Sequence, residues 1–227
     1  MKIELKFQPS STVAVCKLQV NEAIISEGGA FMAMQGKADL TTTTHQKSGG
    51  GVLSGIKRLL SQESFFLNQY KALQETDIWL CSALPGDMMV HELNGQKLIL
   101  AGGAFVACSE NIKIDLSWQG LKSFFTGSNL FWIKAEGYGS LITNSFGFIY
   151  SVEVNGEYMV DTGHVVAFEE TLNFTISKSA SGWIESYFSG EGLVCIFKGR
   201  GTVWIQSHNP KEYGSELTPY LRPIRNG

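Results

Sequence analysis

Three copies of one pattern run through this chain, and no other feature restricts its fold as strongly. Val20-Asn21-Glu22-Ala23-Ile24-Ile25 is echoed by Leu93-Asn94-Gly95-Gln96-Lys97-Leu98 and by Val154-Asn155-Gly156-Glu157-Tyr158-Met159. Each is followed by a matching block: Gly28-Gly29-Ala30-Phe31-Met32-Ala33, Gly102-Gly103-Ala104-Phe105-Val106-Ala107 and Thr162-Gly163-His164-Val165-Val166-Ala167. A third block closes each copy with two apolar residues, a turn-like segment and two more apolar residues: Leu59 to Phe66, Phe124 to Phe131 and Tyr187 to Val194. Blocks recurring in one order mark a repeat architecture, in which each unit covers apolar surface on its neighbour.

Within each unit the pattern is that of strands. Beyond Ala33, Ala107 and Ala167 the register runs on to Ala38 and Leu40, to Ile112 and Ile114, and to Leu172 and Phe174. Asn111-Ile112-Lys113-Ile114-Asp115-Leu116 alternates strictly, as a strand with one buried face does. The first unit fades here into Thr41-Thr42-Thr43-Thr44, which keeps β-propensity and loses apolar weight. The continuous runs Leu130 to Ile133 and Leu193 to Phe197 suit strands covered on both faces. Gly137-Tyr138-Gly139 matches Gly199-Arg200-Gly201, which predicts positive φ or close backbone approach, as at a bulge or hairpin.

Composition agrees with this reading. Hydrophobic residues are 44% and charged residues 17%, with 25 Gly against 5 Pro. Such a balance suits many turns between buried segments rather than disorder. The expected fold is all-β, three tandem β-sandwich-like repeats. The first unit spans 1–85 with a Gly-rich and amphipathic insertion, the second 86–146 and the third 147–206; a tail covers 207–227. Units of about 60 to 80 residues bury too little surface to be very stable alone.

Several function classes are disfavoured. The formal net charge of −3 argues against a generally basic nucleic-acid binder. Basic residues gather weakly at Lys57-Arg58, Lys198 with Arg200, Arg222 and Arg225, and they do not recur at equivalent places: Arg200 stands where the second unit has Tyr138. The alternation of charged and apolar residues in Met1 to Lys6 is unlike a secretory signal. No window approaches the roughly 20 apolar residues of a spanning helix, so a cytoplasmic location is expected. Cys16, Cys81, Cys108 and Cys195 are scattered among apolar residues with no CxxC pair, which predicts reduced, buried thiols. No HxH or HxxxH occurs, and His164 with Glu169 and Glu170 is the nearest approach to a ligand set, so no metal or other cofactor is expected. A GxSxG elbow is missing, and the glycines between Ser48 and Gly55 lack the order of a phosphate loop. No catalytic residues are assigned.

Three motifs carry a resemblance to a known family: Glu27-Gly28-Gly29-Ala30-Phe31-Met32-Ala33-Met34-Gln35-Gly36, Gly49-Gly50-Gly51-Val52-Leu53-Ser54-Gly55-Ile56-Lys57-Arg58 and Gln62-Glu63-Ser64-Phe65-Phe66-Leu67. On these motifs the chain resembles the bacterial relatives of the yeast mitochondrial protein named for altered inheritance of mitochondria, number twenty-four, along nearly its whole length to about Trp204. The resemblance implies a fold similar to the tryptophan RNA-binding attenuation protein, with units like short double-stranded β-helices packed as two small sheets. It implies three units per chain and three chains closing into a pseudo-ninefold ring. It brings no catalytic residues; the mitochondrial members are tied to inner-membrane organisation. The expected partner is therefore the chain itself, as a homotrimer, and the expected function is a non-enzymatic oligomeric scaffold or binding module. RNA or a small ligand in clefts between units is the alternative, and a cryptic enzyme the more remote one.

Two segments invite contact: the large insertion of the first unit and the tail. Between Ser48 and Phe66, Val52, Leu53, Ile56, Leu59 and Leu60 have helical spacing, with Lys57 and Arg58 on the other side. A short basic amphipathic helix is predicted, with Leu53, Ile56, Lys57, Arg58 and Leu59 as candidate contacts for a partner or a membrane surface. Because Leu59 and Phe65 fall inside a repeated block, a covering or subunit-contact helix is the preferred reading. In the tail, His208 to Glu212 begins like a turn, and Leu217 to Ile224 reads as an extended, Pro-punctuated arm with apolar anchors.

Overall fold

The alternating and continuous apolar runs become strands. A computed structural model describes residues 1–44, 66–116, 131–177 and 193–221. The strands are β1 (Lys2–Lys6), β2 (Val13–Leu18), β3 (Ala23–Glu27), β4 (Phe31–Gln35), β5 (Ala38–Thr44), β6 (Phe66–Ala72) and β7 (Thr76–Cys81). Next come β8 (Met88–Ala101), β9 (Phe105–Ser109), β10 (Ile112–Asp115) and β11 (Trp132–Asn144). The last are β12 (Ile149–Asp161), β13 (Val165–Glu169), β14 (Asn173–Ser177) and β15 (Val194–Gln206), followed by the helix α1 (Pro210–Leu217). The predicted strands at Ala38, Ile112 and Phe174 are thus β5, β10 and β14.

Two antiparallel sheets result. One has four strands in the order β1-β2-β7-β4; the other has eleven, in the order β12-β15-β13-β8-β11-β9-β3-β6-β5, with β10 added on β11 and β14 on β15. The long strand β11 lies along β8 on one side and carries β9 and β10 on the other. β15 lies along β12 and carries β13 and β14 in the same way. Nearer the N-terminus the task is divided: β7 pairs with β2 and β4, and β6 with β3 and β5.

Two joints stitch these groups together. β9 lies on β3 through Ile24↔Ser109, Ile25↔Cys108 and Ser26↔Ala107. β13 lies on β8 through Leu98↔Glu169, Ile99↔Phe168 and Leu100↔Ala167.

Apolar cores follow the same succession and borrow across the joints. Cys16, Ile24, Ile78 and Leu80 pack with Val106 and Ile142. Leu98, Leu100, Phe105 and Ile133 pack with Ile149 and Val166. Phe168, Phe197 and Val203 pack with Ile99 and Trp132. The continuous apolar runs supply fully buried positions, among them Ile133, Cys195 and Phe197.

The repeated glycine does what its recurrence suggests. Gly137 and Gly199 have φ of 138° and 123°. The β8–β11 register shifts between Glu136 and Tyr138, around Gly137. A Cβ on Gly137 would come within 2.2 Å of the Asn111 carbonyl oxygen.

Two expectations need correction. The tail is helical over Pro210–Leu217, because the Asn209 side chain accepts hydrogen bonds from the amides of Lys211 and Glu212 while Pro210 presets the first turn. A short 3₁₀ turn, Thr218–Tyr220, follows where the extended arm was expected. Cys16, Cys108 and Cys195 are buried thiols, as predicted, but Cys81 is only half-buried. It ends its strand at the wall of a small cavity. Among the described residues no helix is long and apolar enough to cross a membrane.

Candidate interaction surface

Three short strands with similar sequences meet different fates. Phe105-Val106-Ala107-Cys108 of β9 and Val165-Val166-Ala167-Phe168 of β13 are all at most 2% exposed. Phe31-Met32-Ala33-Met34 of β4 is as apolar, yet Phe31, Met32 and Met34 are 44%, 53% and 42% exposed. The cause is the pairing. β9 is held between β11 and β3, and β13 between β15 and β8. β4 has β7 on one side and, among the described residues, no strand on the other.

The opposite end of the chain shows the complementary contrast. Leu98, Ile99 and Leu100 of β8 are at most 3% exposed beneath β13. In β12 the corresponding Tyr158, Met159 and Val160 are half-buried, and β12 ends the large sheet with β15 as its described neighbour. An open apolar edge is a template for strand addition, and proteins normally blunt such edges with charge, proline or a cover. Phe31–Gln35 holds neither charge nor proline, and among the described residues no second strand covers its free edge. Taking a large apolar side chain wholly out of water is worth about 1.5–3 kcal/mol, so leaving this strand bare is expensive.

Several polar groups that could have formed a site are engaged internally. Asp87, buried, accepts from Thr12 Oγ1 at 2.8 Å, Gln8 Nε2 at 3.0 Å and the Met88 amide at 2.8 Å. His91 is buried, with its Nε2 2.9 Å from Thr143 Oγ1 and its ring edge-on to Trp204 at 4.8 Å. Burial pushes its imidazole down from the usual 6.5 to about 4. His164 is bound through Nδ1 to the Gln206 carbonyl, 2.8 Å away. A cleft of about 290 Å³ at the β8–β13 joint is lined by Gly95, Lys97, Glu169, Glu170 and Thr171. Lys97 there is paired with Glu170 at 3.3 Å and, more loosely, with Glu136 at 4.0 Å. A smaller cavity, about 180 Å³, includes Glu27, Cys81, Ser82 and Asn144. Leu53, Ile56, Lys57, Arg58 and Leu59, the contacts proposed from helical spacing, lie outside the described residues.

Comparison with known proteins decides the family. The family model described as Mitochondrial biogenesis AIM24 matches residues 3–208. The chain belongs to this AIM24 family. It is 31% identical over 218 residues to an uncharacterized protein of Streptococcus pyogenes serotype M6, covering 90% of this chain and 88% of that one. It is also similar to a structural-genomics crystal structure of a Streptococcus pyogenes protein, with a TM-score of 0.76 and 26% identity over 97% of this chain and 99% of the other. Membership of the AIM24 family assigns no specific role, so function must be argued from the surfaces of the chain itself.

Proposed function

We propose that this AIM24-family protein is a cytoplasmic, non-enzymatic scaffold or binding module that acts as an oligomer of itself. In this reading the chain is three TRAP-like units in tandem, and three chains close into a homotrimeric ring. One observation carries it: a strand with the apolar content of two buried strands has, among the described residues, a neighbour on one side only and three exposed large apolar side chains. The repeated pairing scheme supports the tandem reading, since β8 to β11 and β12 to β15 connect alike, with β2 to β7 as a split version. Ring closure follows from geometry of a general kind, because unlike edges joined head to tail close into a ring or run on as a filament.

The test places charge on the open edge. Replacing Met32 and Met34 with Glu should abolish the assembled species in light scattering while leaving the β-type circular dichroism of the chain in place. Assembly that persists unchanged in the Met32→Glu/Met34→Glu protein would show that β4 is not a subunit contact and would remove the support for this reading.

A further inference from the structure

We infer that β4 of one molecule adds, antiparallel, to the second half of β12 in another copy of the chain, with Ala33 opposite Val160, Met34 opposite Met159 and Gln35 opposite Tyr158. This rests on the self-association proposed above and specifies its joint. The register is read from joints the chain already makes. At β8–β13, Ala167, Phe168 and Glu169 face Leu100, Ile99 and Leu98. At β3–β9, Ala107, Cys108 and Ser109 face Ser26, Ile25 and Ile24.

The correspondences need no adjustment. Ala33, Ala107 and Ala167 occupy the same place in their strands, the third residue of β4, β9 and β13. Leu100 pairs with Ile133 across β8–β11, as Val160 pairs with Cys195 across β12–β15. In both, the residue next in sequence after the pair's long-strand partner opens the same loop, Ala101 before Gly102 and Asp161 before Thr162. β4 therefore stands to β12 as β13 stands to β8.

Backbone and charge fit the same register. At the β8–β13 joint the amide of Glu170 donates to the Lys97 carbonyl at 3.2 Å. The equivalent donor at the open end is Gly36, and the equivalent acceptor is the carbonyl of Glu157. The Lys97 side chain meets Glu170 across that joint at 3.3 Å. At the open ends the signs are exchanged: Glu157 stands at the place of Lys97, and Lys37 lies in the β4–β5 turn beside the place of Glu170. Like edges never pair at either joint within the chain: β9 meets β3, and β13 meets the second half of β8. A symmetric β4–β4 or β12–β12 dimer would use a pairing that the fold nowhere uses.

Disulfide trapping tests this directly. In the extrapolated register Ala33 and Val160 form a non-hydrogen-bonded pair, whose Cα atoms lie about 4.5 Å apart, within disulfide reach. Ala33→Cys/Val160→Cys is made in a Cys81→Ser background, native mass is checked in reductant, and the protein is oxidised mildly. The expected result is loss of the monomer band on a non-reducing gel in favour of covalent oligomer, whereas each single variant and the slipped pair Ala33→Cys/Met159→Cys stay largely monomeric. Gln35→Cys/Tyr158→Cys, the other non-hydrogen-bonded pair, serves if the first pair disturbs assembly, and should cross-link alike. An oligomeric wild type in which the slipped pair cross-links as fast as both designed pairs, or in which Ala33→Cys alone cross-links to completion, overturns the joint and leaves self-association standing. A monomeric wild type overturns both.

Discussion

Acid should weaken this fold through one buried imidazole. His91 is 7% exposed and held between Thr143 and Trp204, so protonation would bury a cation whose bonded nitrogen faces a hydroxyl rather than a carboxylate. Its folded value is about 4, against 6.5 when solvated. The unfolded chain therefore binds the proton more readily between those values, and stability is complete above about pH 6.5 and falls as the pH drops toward 4. At about 1.4 kcal/mol per pH unit, the loss approaches about 3 kcal/mol once both states are protonated, with about 2 kcal/mol already gone between pH 7 and 5. Urea unfolding at pH 7 and pH 5 measures this, at one fixed protein concentration because assembly contributes to apparent stability. The His91→Gln protein is the reference, since it keeps a polar group near Thr143 and cannot titrate. The wild type should lose about 2 kcal/mol more than His91→Gln over this interval. Equal losses in the two proteins would refute the reasoning and place the acid sensitivity elsewhere.

Other outcomes follow from local geometry. Gly137→Ala should cost more than about 3 kcal/mol or prevent folding, because a Cβ would sit 2.2 Å from the Asn111 carbonyl oxygen at a φ of 138°. Gly156→Ala, at a φ of 120° with open space around it, should cost only about 1–3 kcal/mol, and paired thermal melts separate the two. Thiol labelling of the native protein should find Cys81 fast and Cys16, Cys108 and Cys195 slow, since burial pushes those three up to about 12; denaturant should release all four. Asn209→Ala should loosen α1 by about 1 kcal/mol, read as faster amide exchange at Lys211 and Glu212 with little change in global melting, because no residue of the helix is buried.

The strands were legible because side-chain alternation is written residue by residue. Ile112 and Ile114 point inward and Lys113 outward, as their spacing required. Register was less so. The matched blocks align Leu98 with Ile25, but the pairing places Leu98 where Ile24 stands, opposite the third of its joint partners. The second unit holds one residue more before its Gly-Gly turn, and the β8–β11 ladder absorbs it as the irregularity between Glu136 and Tyr138, whereas β12 and β15 pair without a shift. The helix α1 had a signal in Asn209-Pro210 followed by Glu212, a cap, a preset first turn and an acid near the positive helix end; its exposed, weakly apolar face hid it from a reading built on periodicity.

The interaction surface was the least legible part. Phe31-Met32-Ala33-Met34 reads like its two counterparts, and nothing in its composition announces that it alone is bare. Exposure is a property of pairing between strands far apart in sequence, and it became visible only once β9 and β13 were seen with neighbours on both sides and β4 with one. The Asp87 cluster is similar: Gln8 and Thr12 reach it across 79 and 75 residues, a distance at which no local pattern speaks.

Native mass spectrometry of the wild-type chain tests the central claim most directly. The account predicts a species of three chains, each of 24.9 kDa, that falls to single chains in the Met32→Glu/Met34→Glu protein. A wild type that remains a single chain at micromolar concentration would contradict it, for β4 would then be an apolar strand that the folded protein leaves in water.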